Sequence, residues 1–418
     1  MARLLLLLLP TIQGCSINVL DPPASAVGDG TTDDTLALRR GLSALEACGG
    51  GTLLLPSPHA FLSQALNLTS NTRLLVEGTL RASTATTLWP LIPPLPWYGG
   101  GVDAPQSGAP EWQPFLLSTY ASNLTLEGGG VIDGSGAAWW ACAHGTPPLA
   151  APPCAGFSRP RLLQPRHVTG FVLRNLTLQN SPAWTIHLAN VTGASLSDFA
   201  VLAPADQGNT DGADLDCSRQ VRVSNFFYAG GDDAIAVKAG LDWLGREYGA
   251  PTEDVLVENV TIRSGNGFAI GSEMSAGVRR VRFNNITVDC AASPCKHGLY
   301  IKTMRGRGGV VEDVSATAVA VLRGVALGHG FTEVYMRPNP PPTNASATPR
   351  IRNVSISGGS IAAPTAFSFQ GLPESVISDI TLDGVQLSPS TRTASVCSNA
   401  TGVCRGMAQG ACPSCLRD

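Results

Sequence analysis

The sequence predicts an all-β fold: a right-handed parallel β-helix with a capping helix at its N-terminal end. Segments such as TGFVLRNLTLQN, EDVLVENVTIRS and RRVRFNNITVDC repeat one pattern, in which two short apolar runs flank an Asn or other polar break. The pattern recurs at a spacing of about 20 to 30 residues, which is typical of a stacked solenoid. No long amphipathic helices separate the runs, which argues against βαβ units. A β-sandwich is the alternative, but the repeat and the absence of clear hairpin dipeptides disfavour it.

The capping helix is predicted in the segment GDGTTDDTLALRRGLSALEACGGG. Thr31 or Thr32 is the candidate N-cap, and the glycines at 49–51 end the helix. Leu38, Leu42 and Leu45 fall on one face of it. Because a solenoid must cover its open apolar end, we expect this face to pack on the first coil.

The composition excludes several classes of protein. The chain has 418 residues, of which 14% are charged, with a formal net charge of −3. Typical globular chains carry about 25% charged residues, and nucleic-acid binders are basic, so no nucleic-acid partner is expected. No stretch after the N-terminus reaches the ~18 apolar residues that a spanning helix needs, so no membrane partner is expected. We expect a monomer.

The N-terminus and the cysteines indicate an oxidising compartment. Residues 1–16 resemble a secretory signal, with Arg3 before a run of leucines. We therefore expect a secreted or cell-wall protein with one domain at 17–396 and a Cys-rich tail at 397–418. The cysteines fall in close pairs, typical of small disulfide loops, although their connectivity cannot be deduced. These pairs are 142/154, 290/295, 397/404 and 412/415. Zinc is the rival explanation, but no histidine cluster accompanies the pairs.

Asn-x-Ser/Thr sequons permit glycosylation of a secreted protein. They lie at Asn67, Asn123, Asn175, Asn190, Asn259, Asn285, Asn344, Asn353 and Asn399. Several of them recur at the same place in the repeat. The structural requirement of the repeat is therefore the stronger explanation.

Three aspartates are the candidate catalytic residues. Asp232 and Asp233 are adjacent in AGGDDAIAVK, and Asp211 lies in GNTDGADLD, 232 − 211 = 21 residues earlier. That interval is close to one coil, and residues one coil apart lie in adjacent layers about 4.8 Å apart. Gly230 and Gly231 permit a bulge that turns both neighbouring side chains to one surface. The sequence therefore predicts three acids on one face.

The motifs NTDG, GGDDAIAVK, GFAIGSEMSAGV and GLYIKTMRGRGG, in this order, resemble family-28 glycoside hydrolases, the polygalacturonases. GDGTTDDT, VIDGSGAAWW and NSPAWTIH also match, so the resemblance runs from about residue 17 to about 320, and it is greatest to the plant and bacterial-type branch. It implies a parallel β-helix that hydrolyses glycosidic bonds in pectin with inversion. Carried over by position, Asp232 is the general acid, and Asp211 and Asp233 activate water. Neither metal nor cofactor is expected.

The resemblance also implies substrate-binding positions, two of which depart from the family pattern. Lys302 matches a lysine that contacts a uronic carboxylate, and Asp214 and His187 are further candidates, although a structural histidine is equally consistent at 187. Asn266 stands in place of a family histidine, and Tyr300 in place of an arginine. Asn cannot become cationic, and Tyr cannot grip a carboxylate in the bidentate way of Arg.

These departures leave alternatives open. A hydrolase of rhamnogalacturonan or another modified pectin is the first, because subgroups of the family also lack the histidine. A pectate-lyase-like β-helix would use its acids to bind calcium and a basic residue to abstract a proton. A pectin-binding β-helix without turnover is the third, and the intact acid trio argues against it.

Overall fold

The chain forms a solenoid of stacked coils, as the computed structural model shows. The structure describes residues 14–98, 110–143, 159–336, 345–389, 391 and 395–417. Its two large sheets run along the solenoid, and within each sheet neighbouring strands pair in parallel. This architecture confirms the predicted parallel β-helix. Among the described residues, no helix is long and apolar enough to span a bilayer.

The strands are numbered in chain order. They are β1 (Cys15–Asn18), β2 (Asp29–Asp33), β3 (Gly51–Leu55), β4 (Ala60–Ser63), β5 (Leu66–Asn67), β6 (Thr72–Val76), β7 (Thr79–Ala82), β8 (Leu91–Ile92), β9 (Glu111–Trp112), β10 (Leu116–Thr119), β11 (Ser122–Glu127), β12 (Val131–Asp133), β13 (Leu163–Arg166), β14 (Thr169–Gln179), β15 (Ile186–Ala189), β16 (Thr192–Leu202), β17 (Ala213–Asp216), β18 (Arg219–Ala229), β19 (Asp233–Lys238), β20 (Thr252–Ile262), β21 (Gly267–Gly271), β22 (Val278–Val288), β23 (Cys295–His297), β24 (Leu299–Lys302), β25 (Val310–Val321), β26 (Val325–Thr332), β27 (Arg350–Ser357), β28 (Ser360–Ile361), β29 (Thr365–Gln370), β30 (Ile377–Asp383), β31 (Gln386–Leu387), β32 (Val396–Ser398) and β33 (Ala400–Arg405).

The second sheet is the one that matters for function. It stacks, in order, β5, β10, β13, β15, β17, β19, β21, β24, β26, β29 and β32. The first sheet takes the other long strands, and β8 pairs with β9 as a small antiparallel hairpin. The helices are α1 (Thr35–Ala47), α2 (Ala137–Ala143) and α3 (Asp242–Tyr248).

The core is a set of apolar columns inside the coils. One column runs through the first sheet by direct strand pairing, and every member of it is buried. Its members are Leu173, Leu196, Val223, Val257, Phe283 and Ala316. Because side chains alternate across a strand, the residues between them face outward. Burial of such columns is the main favourable term that holds a solenoid together.

The asparagines of the repeat form a ladder at one corner of the coils. Asn225, Asn259 and Asn285 have φ of 53°, 55° and 51°, a conformation that Asn tolerates better than most residues. Asn285 Nδ2 donates to Asn259 Oδ1 at 2.9 Å, and Asn259 Nδ2 donates to Asn225 Oδ1 at 3.2 Å. Two of these residues head sequons, so the ladder accounts for their recurrence.

The capping helix begins later than the sequence predicted. Helix α1 starts at Thr35, and its leucines 38, 42 and 45 are buried against the first coil, as expected. The N-cap prediction was wrong, because Thr31 and Thr32 belong to β2 and hydrogen-bond to Asp29 instead. Asp34 occupies the N-cap position, but its carboxylate accepts N–H groups of the preceding loop rather than of the helix.

The disulfides lie at both ends of the solenoid and in one loop. Cys15 bonds to Cys48 and lies in β1, which spans the expected signal boundary at residue 16. Residues 1–13 and the expected pair 142/154 lie outside what the structure describes. Cys290 bonds to Cys295, as the close spacing indicated.

The tail disulfides do not join the closely spaced cysteines that the sequence analysis paired. The bonds are Cys397–Cys415 and Cys404–Cys412, in a nested arrangement. The tail is also more regular than expected, because β32 pairs with β29 and β33 pairs with β30. Residues from 397 onward therefore complete the last coil, and the two disulfides tie the following loop to it.

Candidate active site

Three carboxyl groups meet on the outer face of the second sheet. Asp211 lies just before β17, and Asp232 and Asp233 lie at the start of β19, the next rung. The backbone fixes this proximity, since the Gly212 N–H donates to the Asp233 carbonyl at 2.9 Å. One carboxylate oxygen from each aspartate lies within 4.8 Å of the others. The structure therefore brings together the three acids on which the sequence prediction depended.

A bulge lets the two adjacent aspartates serve one site. Asp233 pairs with Gly267 of β21, but Ile235 pairs with the very next residue, so β19 carries one extra residue. The bulge therefore follows Asp233 rather than Gly230 and Gly231, where the sequence placed it. Gly267 has φ of +100°, and a Cβ there would lie 1.9 Å from a backbone oxygen, so only glycine fits.

Asp232 is half-buried and held by three N–H donors. Its Oδ2 accepts the Asn209 N–H at 2.9 Å. Its Oδ1 accepts Asn266 Nδ2 at 2.6 Å and the Asp233 N–H at 2.9 Å. Asn266, which stands where the family has a histidine, thus contacts the proposed acid directly. These bonds fix the orientation of the carboxyl group.

Asp233 is paired with Lys302. Lys302 Nζ lies 2.7 Å from Asp233 Oδ2, and the two residues are 7% and 1% exposed. Burial opposes the lysine charge, but the attraction of Asp233 outweighs it, and the pKa of Lys302 is raised. The other oxygen, Asp233 Oδ1, has no hydrogen-bond partner among the described residues. A charged carboxylate with one free oxygen suits the binding of a water molecule.

Asp211 lies in a more apolar setting, next to a second buried carboxyl group. Burial, then the charges of Asp214 and Asp232, raise the pKa of Asp211 well above its usual range. Burial also raises the pKa of Asp214, although the positive charge of Lys238 opposes the shift. Lys238 Nζ is 3.5 Å from Asp214 and 3.0 Å from Glu273, and it hydrogen-bonds only the latter. Burial thus favours the protonated forms of both Asp211 and Asp214.

A cleft of about 300 Å³ opens beside Lys302 on the C-terminal side of the trio. Its lining is Asn266, Lys296, His297, Tyr300, Lys302, Leu327 and Tyr335. The Tyr300 ring stacks on His297 at 4.5 Å between centroids, and burial lowers the pKa of His297 to about 3. The imidazole is therefore neutral at ordinary pH. Tyr335 places its ring 5.3 Å from Lys302 Nζ.

Two expected substrate-binding residues do not reach the surface. His187 has no exposed surface; its Nδ1 contacts Gln164 at 2.6 Å and its Nε2 contacts Asp216 at 3.1 Å. Burial lowers the pKa of His187 to about 4. Asp214 is equally buried. Both lie beneath the surface, where they support other side chains, so their contact with the sugar stays a prediction.

Arg159 and Asn209 belong to the site although the sequence analysis did not select them. Arg159 Nη2 donates to the Gly208 carbonyl at 2.9 Å and to Asn209 Oδ1 at 3.1 Å. Asn209 in turn holds Asp232. Arg159 Nη1 is buried, with no hydrogen-bond partner in the described part of the chain. Asn209 was visible in the NTDG motif, but nothing in the sequence linked Arg159 to an aspartate more than 50 residues away.

The fold and the site together define a parallel β-helix protein with an acidic, hydrolase-like centre. The chain belongs to family 28 of the glycosyl hydrolases, whose model matches residues 50–412. This confirms the resemblance inferred from the motifs.

Known proteins similar to this chain support its membership of the family. A probable polygalacturonase of Vitis vinifera is 34% identical over 295 residues, covering 69% of this chain. Another of Arabidopsis thaliana is 27% identical over 312 residues, covering 73% of this chain. The chain spans only 57% and 59% of the length of these two relatives. The crystal structure of an exopolygalacturonase from Thermotoga maritima superposes with a TM-score of 0.75 at 23% identity, covering 92% of this chain and 89% of its own, which supports the fold.

Proposed function

We propose that the protein is a glycoside hydrolase that cleaves glycosidic bonds of pectin with inversion. The observation that carries the proposal is the cluster of Asp211, Asp232 and Asp233, with their oxygens within 4.8 Å and Lys302 against one of them. Membership of family 28 and the relatives named probable polygalacturonase support the same activity.

Each member of the cluster has a proposed role. Asp232, the most accessible, donates a proton to the leaving glycosidic oxygen as the C–O bond breaks. Asp233 and Asp211 hold a water molecule whose oxygen bonds to the anomeric carbon, and the Asp233 carboxylate takes up the proton that this water loses. Lys302 forms an ion pair with Asp233, the proposed base. Asn209 and Asn266 orient the Asp232 carboxyl group.

The proton of the cluster is shared rather than fixed on one residue. Burial raises the pKa of Asp211, and the neighbouring charges of Asp214 and Asp232 add to this shift. Carboxyl groups at this distance titrate as a unit. Both the acidic and the basic limb of the pH–activity profile are therefore properties of the three carboxyl groups together. Activity should therefore be bell-shaped in pH.

The spacing of the carboxyl groups bears on stereochemistry. Inverting enzymes usually separate their acid and base by roughly 6.5 to 9.5 Å, to leave room for water. The 4.8 Å here bounds the closest oxygen atoms and is shorter than that window. Inversion is therefore a point to test directly, by identifying the anomer formed first in a proton NMR time course.

The cleft beside Lys302 favours a modified or uncharged sugar over a free galacturonate at that position. Its buried cation, Lys302, is already neutralised by Asp233, and Tyr300 and His297 present neutral aromatic rings. Lys296, at the exposed rim, is the remaining cation of the lining. This supports rhamnogalacturonan or substituted pectin as an alternative to plain polygalacturonate.

Parallel assays on polygalacturonate and rhamnogalacturonan test the proposal. New reducing ends without ultraviolet absorbance, unaffected by chelator, are expected from the wild type. The Asp232→Asn variant should lose about 10² to 10⁴ of the rate while still binding substrate. Absorbing, unsaturated products that disappear with chelator would favour the lyase alternative, for which the three carboxylates would be calcium ligands. Equal pectin binding by both proteins without any product would instead indicate a binding protein.

We propose an extracellular location for the protein. In the described part of the chain, four disulfides staple the first coil, a loop and the last coil. Such bonds persist in oxidising compartments. Mass spectrometry of secreted material would test this location together with the use of the sequons, and light scattering would test the expected monomer.

A further inference from the structure

We propose that the substrate groove is closed on the N-terminal side of the acid trio, so that the protein acts at a chain end and not within the polymer. This mode of action rests on the proposed function. It follows from the accessibility of the second sheet, from the segment that covers it and from the position of Trp184.

Accessibility changes along one outward-facing row of the second sheet. The row is linked by direct strand pairing from β15 to β32 and comprises His187, Asp214, Ala236, Ala269, Tyr300, Gly330, Ser368 and Val396. The first four members have 0% exposure, although their side chains point away from the core. Tyr300 and Ser368 are partly exposed and Val396 is 49% exposed, with the buried Gly330 between the first two. The face is therefore covered from β15 through β21, one rung past the trio, and partly accessible from Tyr300 onward.

The cover on the N-terminal side is the segment at 91–98, which crosses three rungs. Arg166 of β13 donates to the Pro93 carbonyl at 3.2 Å. Trp97, itself fully buried, donates its indole N–H to Asp216 of β17 at 2.8 Å. Beyond β19, the Leu241 N–H donates to the Trp97 carbonyl at 2.9 Å. Because these hydrogen bonds tie the segment to three rungs and the Trp97 anchor is buried, the cover is a fixed part of the fold.

Trp184 forms the wall where the covered side meets the trio. It directly precedes Thr185, whose N–H donates to the Asp211 carbonyl at 2.9 Å. The indole packs edge-on against His187, with Lys238 Nζ 4.4 Å from its ring centroid on the buried side. Tyr98, at the end of the covering segment, lies 6.3 Å from it. The half-exposed ring is a flat surface of the kind on which a terminal sugar packs.

The opposite side carries no comparable cover in the described ranges. On this side lies the cleft of about 300 Å³ lined by Tyr300, Lys302 and Tyr335, and farther along the same sheet Ser368 is partly exposed and Val396 exposed. A polymer bound across Asp232 can therefore extend in this direction only. A mid-chain segment would need a groove on both sides of the cleaved bond, so the site accepts a terminus.

Product analysis on polygalacturonate is the first test. Reducing ends should accumulate with little early loss of viscosity, and one short product should dominate from the first time point. A rapid fall in viscosity, with a ladder of intermediate oligomers, would overturn the closed-groove proposal while leaving hydrolysis itself established.

A binding test decides the proposal even if no cleavage is detected. Galacturonate oligomers are prepared with one altered terminus: either a borohydride-reduced end or an unsaturated ring at the other end. Calorimetry with the Asp232→Asn variant should show at least about tenfold weaker binding for one of the two, which corresponds to about 1.4 kcal/mol. Equal binding of both oligomers, or binding of neither, would overturn the proposal.

Variants of Trp184 test the wall directly. Trp184→Ala should lengthen the dominant product and raise KM more than it lowers kcat, whereas Trp184→Phe should retain the product of the wild type. A purely structural role would alter stability without changing product length. The same product from the Ala variant as from the wild type would show that Trp184 does not bound the site.

Discussion

Lys302 Nζ lies 2.7 Å from Asp233 Oδ2, and both residues are almost fully buried. This contact joins β24 to β19 across β21, and it brings the positive charge of the site to its proposed base. A buried carboxylate without such a partner would be strongly disfavoured. The pair therefore gives Asp233, alone among the three acids, a cation in direct contact within the residues that the structure describes.

Replacing Lys302 should cost both activity and stability. The Lys302→Met variant leaves Asp233 buried and unpaired, so we expect about 3 kcal/mol less stability and about a hundredfold lower kcat. Urea unfolding and reducing-end assays measure the two effects. Lys302→Arg, which retains the charge, should keep most of the stability. If the Met variant is fully active, then Lys302 does not maintain the charge of the base.

Arg159 should position Asp232 through Asn209. In Arg159→Gln the loop at 208–209 loses its anchor, so kcat should fall about tenfold. Removal of a cation whose charge Asp211 feels also disfavours the charged form of Asp211, which raises the pH range in which the trio titrates. Both limbs of the pH–activity profile should therefore move to higher pH.

The Arg159→Lys variant is the matched control, since it retains the charge without the forked geometry. It should keep the pH limbs of the wild type while losing part of kcat. A Gln variant with the wild-type pH profile and only lower stability would indicate a structural role.

The cluster of three aspartates could be predicted from the repeat, whereas the residues that form the walls of the groove could not. Asp211 and Asp232 are 21 residues apart, and the regular coil turns that interval into contact between adjacent rungs. No such period links Asp233 to Lys302, 69 residues later, where only the family motif indicated a shared site. Trp97, Trp184 and Tyr335 lie in or next to loops, whose course does not follow from hydrophobic periodicity.

His187 shows why outward-facing residues are hard to assign. Its strand pattern correctly places it on the outer face of the second sheet, but the segment at 91–98 covers that face. Likewise the tail cysteines pair across a nested loop, which spacing alone does not determine. Periodicity predicts whether a side chain points toward the core or away from it, but it does not predict which outward-facing side chains a distant loop will bury.

Glu333 should make the stability depend on pH. Burial raises the pKa of Glu333 from its ordinary value of 4.5 to about 7, although Leu372 and Ser375 donate hydrogen bonds to it. The folded protein thus binds this proton more tightly than the unfolded chain does. The associated stability is fully present below about pH 4.5 and is lost as the pH rises to about 7. With 7 − 4.5 = 2.5 units, the loss is about 3 kcal/mol.

Glu333→Gln should remove this dependence. Urea unfolding of the variant and the wild type at pH 4.5, 6 and 7.5 measures the difference, and the variant should gain relative to the wild type as the pH rises. Glu77→Gln, at an exposed site, is the control and should follow the wild type. Parallel pH curves for wild type and Glu333→Gln would show that Glu333 ionises normally in the folded protein.

Ala318 occupies a position in the left-handed corner row where alanine is expected to be less stable than asparagine. It has φ of 54° and is exposed, and its rung follows that of Asn285 in the row of left-handed residues. The left-handed conformation costs an alanine about 1 kcal/mol, which Asn or Gly largely avoids. Ala318→Asn should therefore stabilise the protein by about 1 kcal/mol, because its amide also comes within reach of Asn285. Ala318→Gly should gain less, since glycine adds entropy to the unfolded chain.

Thermal unfolding of both variants measures the effect, and Ala320→Asn, which lies outside the left-handed row, is the control. A destabilised Ala318→Asn variant would mean that the ladder does not accept a further asparagine.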